Sequence, residues 1–198
     1  MIALKFLARG AISPFMGRRW VHEEWVVAAR EDDEDTWVRA CLPAQLAFWL
    51  GEELWRVELA EPVRAGPYQL ASPRARLVSR VEAWGAPVAA ELAAACAWRA
   101  RDLVAARLAG EHAAALAGAR DLPALEAAAR RAAPEARAAG HVASAARHAQ
   151  VGRPAGASLN AAMLAAALEA HGAAEASFDA ERAWQGRWLS RHVGVVDE

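Results

Sequence analysis

Apolar and polar positions alternate with a period of two in several short stretches of the first eighty residues, then recur at helical spacing after Pro87, so the chain predicts strands followed by helices. Ile2, Leu4 and Phe6 alternate with Ala3, Lys5 and Leu7 in an opening strand. Gly10, Ser13-Pro14 and Gly17 punctuate a loop, and Trp20 to Val27 is a second extended candidate. Trp37 to Cys41 resumes a strand; Pro43 then opens a short helix that Gly51 stops. The clearest strand runs from Leu54 to Leu59, with Trp55, Val57 and Leu59 opposite Arg56 and Glu58. Residues 75–81 alternate once more, with Leu77 and Val81 against a row of Arg74, Arg76 and Arg80.

From Pro87 the spacing is helical, and Val88, Leu92, Cys96 and Leu103 form one stripe. Arg99 falls inside that stripe, where it must snorkel or meet a carboxylate. Asp121 caps a helix beginning near Pro123, and Pro134 ends it and opens another that runs to about Val151. Gly152 to Gly156 reads as a loop, Ser158 as the cap of a fourth helix ending at Gly172, and Ala174 to His192 as the last helix.

These elements predict an α+β fold: a small, mostly antiparallel sheet of four to five strands with one short helix, followed by four to five alanine-rich helices packed on it. Alanine is the best intrinsic helix former but buries little surface. The helices of residues 87–193 are therefore expected to borrow core from the tryptophans of residues 1–81. That makes 1–198 a single unit, with the last helix returning to the sheet and residues 110–155 its least stable part.

Composition narrows the functional classes. Twenty-three basic against 24 acidic residues leave a net charge of −1, which provides no global field for nucleic acid or an anionic membrane. No apolar window approaches the ~20 residues that span a bilayer, and Met1 to Leu7 lacks the pattern of a signal peptide. Cys41 and Cys96 stand far apart and read as reduced thiols of a cytoplasmic protein. Lys5 is the only lysine, so no P-loop lysine follows a Gly-rich turn. The arginine and alanine excess points to a GC-rich bacterial genome.

The chain lacks H-E-x-x-H, C-x-x-C, G-x-S-x-G, a dinucleotide fingerprint and an EF-hand loop. Glu31 to Asp35 is a run of five like charges without the glycine turn of a calcium loop, and reads as a solvated tip. His141 and His148, seven apart, join a carboxylate such as Glu169 only in a less common zinc reading. With His112 and His171 they read as isolated histidines, so neither metal nor cofactor is expected.

Arg18, Arg19, Trp20 and His22 mix cations with an aromatic, as an anion or base site does; Arg39 and Cys41 are candidates beside them. The bland alternative pairs the arginines of the strands with Glu52, Glu53, Glu58 and Glu61. Cys41, near a helix start, reads better as a buried structural thiol than as a reactive one. Trp184 and Trp188, one turn apart, suit a core or a partner surface.

Trp37-Val-Arg-Ala-Cys41, Leu54-Trp-Arg-Val-Glu-Leu59 and Leu70 to Val81 resemble three strands of uncharacterised bacterial and phage proteins. Here Val38-Arg39 replaces their Phe/Ile-His, and the resemblance implies no activity. The strand–helix–strand order is loosely similar to ADP-ribosyltransferase-like folds, although their catalytic set has no counterpart in this chain.

The sequence therefore predicts a cytoplasmic, non-enzymatic binding or accessory protein whose partner is another protein or a second copy of itself. The alternatives are an enzyme or nucleotide-binding protein with an anion site in the first half and, least favoured, a nucleic-acid binder.

Overall fold

The computed structural model describes residues 1–14, 16–169 and 173–195. An antiparallel sheet region comes first and helices follow, the α+β order expected. The chain divides into two compact units: Met1–Gly85 with the stretch from Gly186, and Ala86–Gln185. The boundary at Gly85 and Ala86 falls where the sequence changes period.

In the first unit, four strands pair antiparallel in the order β1, β4, β7, β2: β1 (Ile2–Leu7), β4 (Glu53–Leu59), β7 (Arg74–Arg80) and β2 (Val26–Val27). A second sheet orders β3 (Val38–Ala40), β6 (Leu70–Ser72) and β5 (Arg64–Ala65). Cys41, just past β3, exchanges both backbone hydrogen bonds with Leu4, at 2.7 and 2.9 Å, and so ties the second sheet to β1. Of the extended segment expected over Trp20 to Val27 only Val26–Val27 forms a strand; His22 makes a single bridge to Leu77, and Glu23 then adopts a left-handed backbone at φ +64°.

β1 is covered on both faces. Ala3 and Leu7 join the cluster of Trp20, Val57, Leu59 and Leu77, while Leu4 and Phe6 are buried on the other side. Phe6 meets Trp84 edge to face at 5.3 Å. Opposite Arg56 and Val57 the register of β7 shifts and Val78 is left without a partner, a bulge in β7, while β4 keeps its regular pairing with β1.

Pro43–Phe48 forms a 3-10 helix, with Gln45 closing its N-terminus by accepting from the Leu42 amide at 2.9 Å. The last turns of α6 (Ala174–His192) lie against this segment, since a Cβ on Gly186 would sit 2.8 Å from the Ala44 carbonyl carbon. Only glycine permits that approach.

The second unit packs α1 (Ala86–Ala105), α2 (Gly110–Gly118), α3 (Leu122–Ala132), α4 (Ala139–Gln150), α5 (Pro154–Ala167) and the first turns of α6. Asp121 caps α3 as expected, accepting from the Ala124 amide at 2.7 Å. Pro134 does end the preceding helix, but α4 starts only at Ala139. Ser158 caps nothing: α5 already begins at Pro154, whose fixed φ suits a first helical turn, and Ser158 is buried inside it. The end expected at Gly172, and His171, lie outside the described residues.

α4 packs against α1, α3 and α5. Its buried face is Ala139, Val142, Ala143, Ala145, Ala146 and Ala149, small enough for close helix approach. Leu92, Leu116, Leu125 and Leu164 supply the larger buried side chains of this unit.

Candidate functional site

The first unit contains a cavity of about 650 Å³, within the range that takes a drug-sized ligand. Leu4, Lys5 and Phe6 of β1 line it, together with Trp37 to Cys41 on and around β3. Ser13, Arg18 and Trp20 contribute from the loop, Val26 and Val27 from β2, and Phe48 and Trp49 from the 3-10 segment. The Leu4–Cys41 pairing creates this arrangement by setting β3 beside β1.

Three indoles line the cavity, and each satisfies its N–H elsewhere. Trp20 Nε1 donates to Ser13 Oγ at 2.8 Å, Trp37 Nε1 to the Glu31 carbonyl at 2.9 Å, and Trp49 Nε1 to the Tyr68 carbonyl at 2.6 Å. Their hydrogen-bonding demand is met, so the rings are left to offer apolar surface.

The charges are three cations, Lys5, Arg18 and Arg39, against one carboxylate, Asp35. The arginines are steered by backbone carbonyls: Arg18 donates to Val27 O at 3.0 Å, and Arg39 to Glu34 O at 2.9 Å. Lys5 Nζ donates to Arg39 O at 2.5 Å and stands 5.3 Å from the centre of the Trp20 ring. Burial pushes its pKa down from an ordinary 10.5 to about 8, against a smaller upward pull from Cys41. Burial likewise pushes the Cys41 thiol up to about 12, with Lys5 opposing. Cys41 is fully enclosed and stays a thiol.

Of the six residues considered an anion site from sequence, the structure brings Arg18, Trp20, Arg39 and Cys41 to this cavity. Arg19 and His22 are not in its lining. An extended stretch sends alternate side chains to opposite sides, so Arg18 and Trp20 share a direction that Arg19 does not. His22 bonds to the Val78 carbonyl at 2.8 Å and lies 6.4 Å from the Trp55 ring.

Lys5 is the cation of this cavity that the anion-site pattern in the sequence does not include. The available signal was a lysine at an interior position of an otherwise apolar strand.

The strand arginines pair largely as the bland alternative has it. Arg76 meets Glu58 at 2.6 Å and Arg80 meets Glu53 at 3.7 Å, although Arg74 turns to Glu31 at 3.9 Å. The acidic run ends in a 3-10 turn, Glu34–Thr36, capped by Asp33, with Arg30 on Asp33 and Arg64 on Glu34.

In the second unit the histidines separate: His112 faces Glu135, His141 faces Asn160, and the His148 ring lies on Gly156. Among the described residues no three metal-binding side chains converge. Trp184 is half-buried beneath Arg99, whose guanidinium lies 4.4 Å from the ring centre. Trp188, in the first unit, is half-buried and stacks on His192 at 3.6 Å.

The chain matches no family model, no curated protein and no solved structure.

Proposed function

We propose that this chain is a non-enzymatic binding protein and that the cavity of its first unit is the ligand site. The observation that carries this reading is the cavity itself: apolar walls, indole faces and four charged side chains, all cationic but one. Such a lining suits a flat, mostly apolar molecule with one anionic or carbonyl head directed at Lys5, Arg18 or Arg39. Two buried, unbridged cysteines accord with a reducing, cytoplasmic setting. Among the described residues no helix is long and apolar enough to cross a membrane.

The test is titration with 2-naphthoate and 2-naphthalenemethanol, read by quenching of tryptophan fluorescence and by thermal shift. Saturable binding that Ala28→Trp weakens supports the site, because Ala28 lines the cavity and an indole there would occupy it. Absence of saturable binding to the parent protein, or undiminished binding to the folded variant, overturns it.

A contact with another protein or a second copy is the second reading. Met16 and Val27, both exposed, also line the cavity and are suited to meeting an apolar partner side chain. Sedimentation of the chain over a concentration series tests the self-association form of this reading. A monomer throughout counts against it.

A further inference from the structure

We propose that Lys5 is a carbonyl-capturing amine, forming an imine with the aldehyde group of an apolar ligand seated in the first unit's cavity. The proposal rests on the cavity reading above and adds to it the class of ligand. Three features converge on this one side chain.

Lys5 lines the cavity from the middle of β1, where its backbone is held by pairing with Trp55. Its amine has one hydrogen-bond acceptor, the Arg39 carbonyl, and the Trp20 face beside it. Among the described residues no carboxylate forms an ion pair with it. An ammonium with three N–H groups is poorly served there, whereas a neutral amine can donate to Arg39 O and keep its lone pair for a ligand.

Desolvation supplies the reactive form. With its pKa near 8, Lys5 has a substantial neutral fraction around neutrality, which an ordinary surface lysine does not. Arginine could supply charge at this position but not a nucleophile, and the chain uses arginine at all its other basic positions apart from histidines.

The step balances without an oxidant or reductant. The Nζ lone pair forms a bond to the aldehyde carbon as the C=O π pair moves to oxygen. A proton passes from nitrogen to that oxygen, giving a carbinolamine. Loss of water then breaks the C–O bond and leaves the imine. Hydrolysis is the reverse reaction.

The chain's composition makes the test simple, because Lys5 and the Met1 amine are its only primary amines. The intact protein is incubated with 2-naphthaldehyde near the pKa of Lys5, reduced with borohydride, and mapped by peptide mass spectrometry. A reduced adduct on Lys5 is expected, forming about tenfold or more faster than on a free lysine-containing peptide. It should be suppressed by 2-naphthalenemethanol and missing from Lys5→Arg, which keeps the charge.

The two readings fail in different ways. If 2-naphthalenemethanol binds saturably but labelling stays on Met1, the cavity reading stands and the amine proposal is overturned. If Lys5 is labelled no faster than the peptide and the alcohol does not compete, the proposal is likewise overturned. If neither binding nor labelling occurs, both fall. Should Lys5→Arg fail to fold, competition on the parent chain still decides.

Discussion

Arg99 of α1 and Glu181 of α6 join through a 2.6 Å hydrogen bond and ion pair in which the carboxylate is almost fully buried and the guanidinium is not. Glu181 also accepts from Gln185 Nε2 at 3.3 Å, and Gln185 continues the network to Ser158 Oγ at 2.6 Å. The pair explains an arginine in the apolar stripe of α1: it neutralises a carboxylate facing Cys96, whose thiol burial and Glu181 push up to about 12.

Removing only the cation should therefore be costly. Arg99→Met leaves Glu181 enclosed with part of its compensation lost, and should destabilise the protein by about 3 kcal/mol. Arg182 shares the field of Glu181 and holds the cost to that level. Glu181→Leu added to Arg99→Met should recover a large part of the loss, because an apolar pair needs no counter-charge. Urea unfolding of the two single variants and the double variant closes the cycle. Additive losses would show that the two residues do not act as a pair.

Lys5 should impose its own pH dependence on stability. Burial lowers its pKa from 10.5 to about 8, so between those values the unfolded chain binds more protons at this site than the folded one. Stability then rises with pH as the folded amine loses its proton, and below about pH 8 the full penalty of burying an ammonium is present. Lys5→Met should remove that rise. The measurement is the difference in urea midpoint between parent and variant through neutrality to mild alkalinity, where neither cysteine yet ionises in the folded state. A constant difference across that range would contradict the assigned shift.

How much of this was legible in the sequence depends on distance along the chain. Periodicity located β1, β4 and β7, and Arg99 within the apolar stripe left snorkelling or a carboxylate partner open, of which the fold supplies the carboxylate, Glu181. Asp121 acted as the cap it resembled because its partner, the Ala124 amide, lies three residues away. Ser158 resembled a cap equally well, yet its partner Gln185 lies on another helix, which local sequence does not encode. The cavity was illegible for the same reason. It depends on the pairing of Leu4 with Cys41, and a strand of three residues carries too little alternation to reveal its neighbour. Arg18 and Arg19 differ only in which side of an extended segment they occupy, and the turns that fix that phase are set by tertiary contacts.

Glu53 should be the anchor of the first loop. Its carboxylate accepts from the amides of Gly10 and Ala11, both at 3.1 Å, and from Trp55 Nε1 at 3.2 Å. Gly10 and Ala11 are both left-handed, at φ +79° and +58°, so their N–H groups converge as a small anion nest. Burial alone would raise the Glu53 pKa, but those hydrogen bonds and Arg80 prevail and hold it below the ordinary carboxylate range. Its contribution is thus complete above that range and is lost as pH falls through the lowered pKa. Glu53→Gln places an amide donor among these N–H groups, and should cost about 1–3 kcal/mol with loss of hydrogen-exchange protection at Gly10 and Ala11. Unchanged protection there would remove the anchor role.

Gly186 and Gly140 provide a matched pair of helical glycines with opposite expected outcomes. At Gly186 an added methyl would collide with the Ala44 carbonyl, and backbone atoms cannot rotate away as a side chain can. Gly186→Ala should therefore separate the last turns of α6 from the 3-10 segment and cost about 2–4 kcal/mol, comparable to other severe overpacking. At Gly140, in the first turn of α4, no heavy atom lies within 4 Å of the added methyl. Gly140→Ala should stabilise by up to about 1 kcal/mol through helix propensity alone. Thermal unfolding of both variants should move the midpoint in opposite directions. The steric account fails if Gly186→Ala proves neutral, because close approach to Ala44 is the reason glycine is required there.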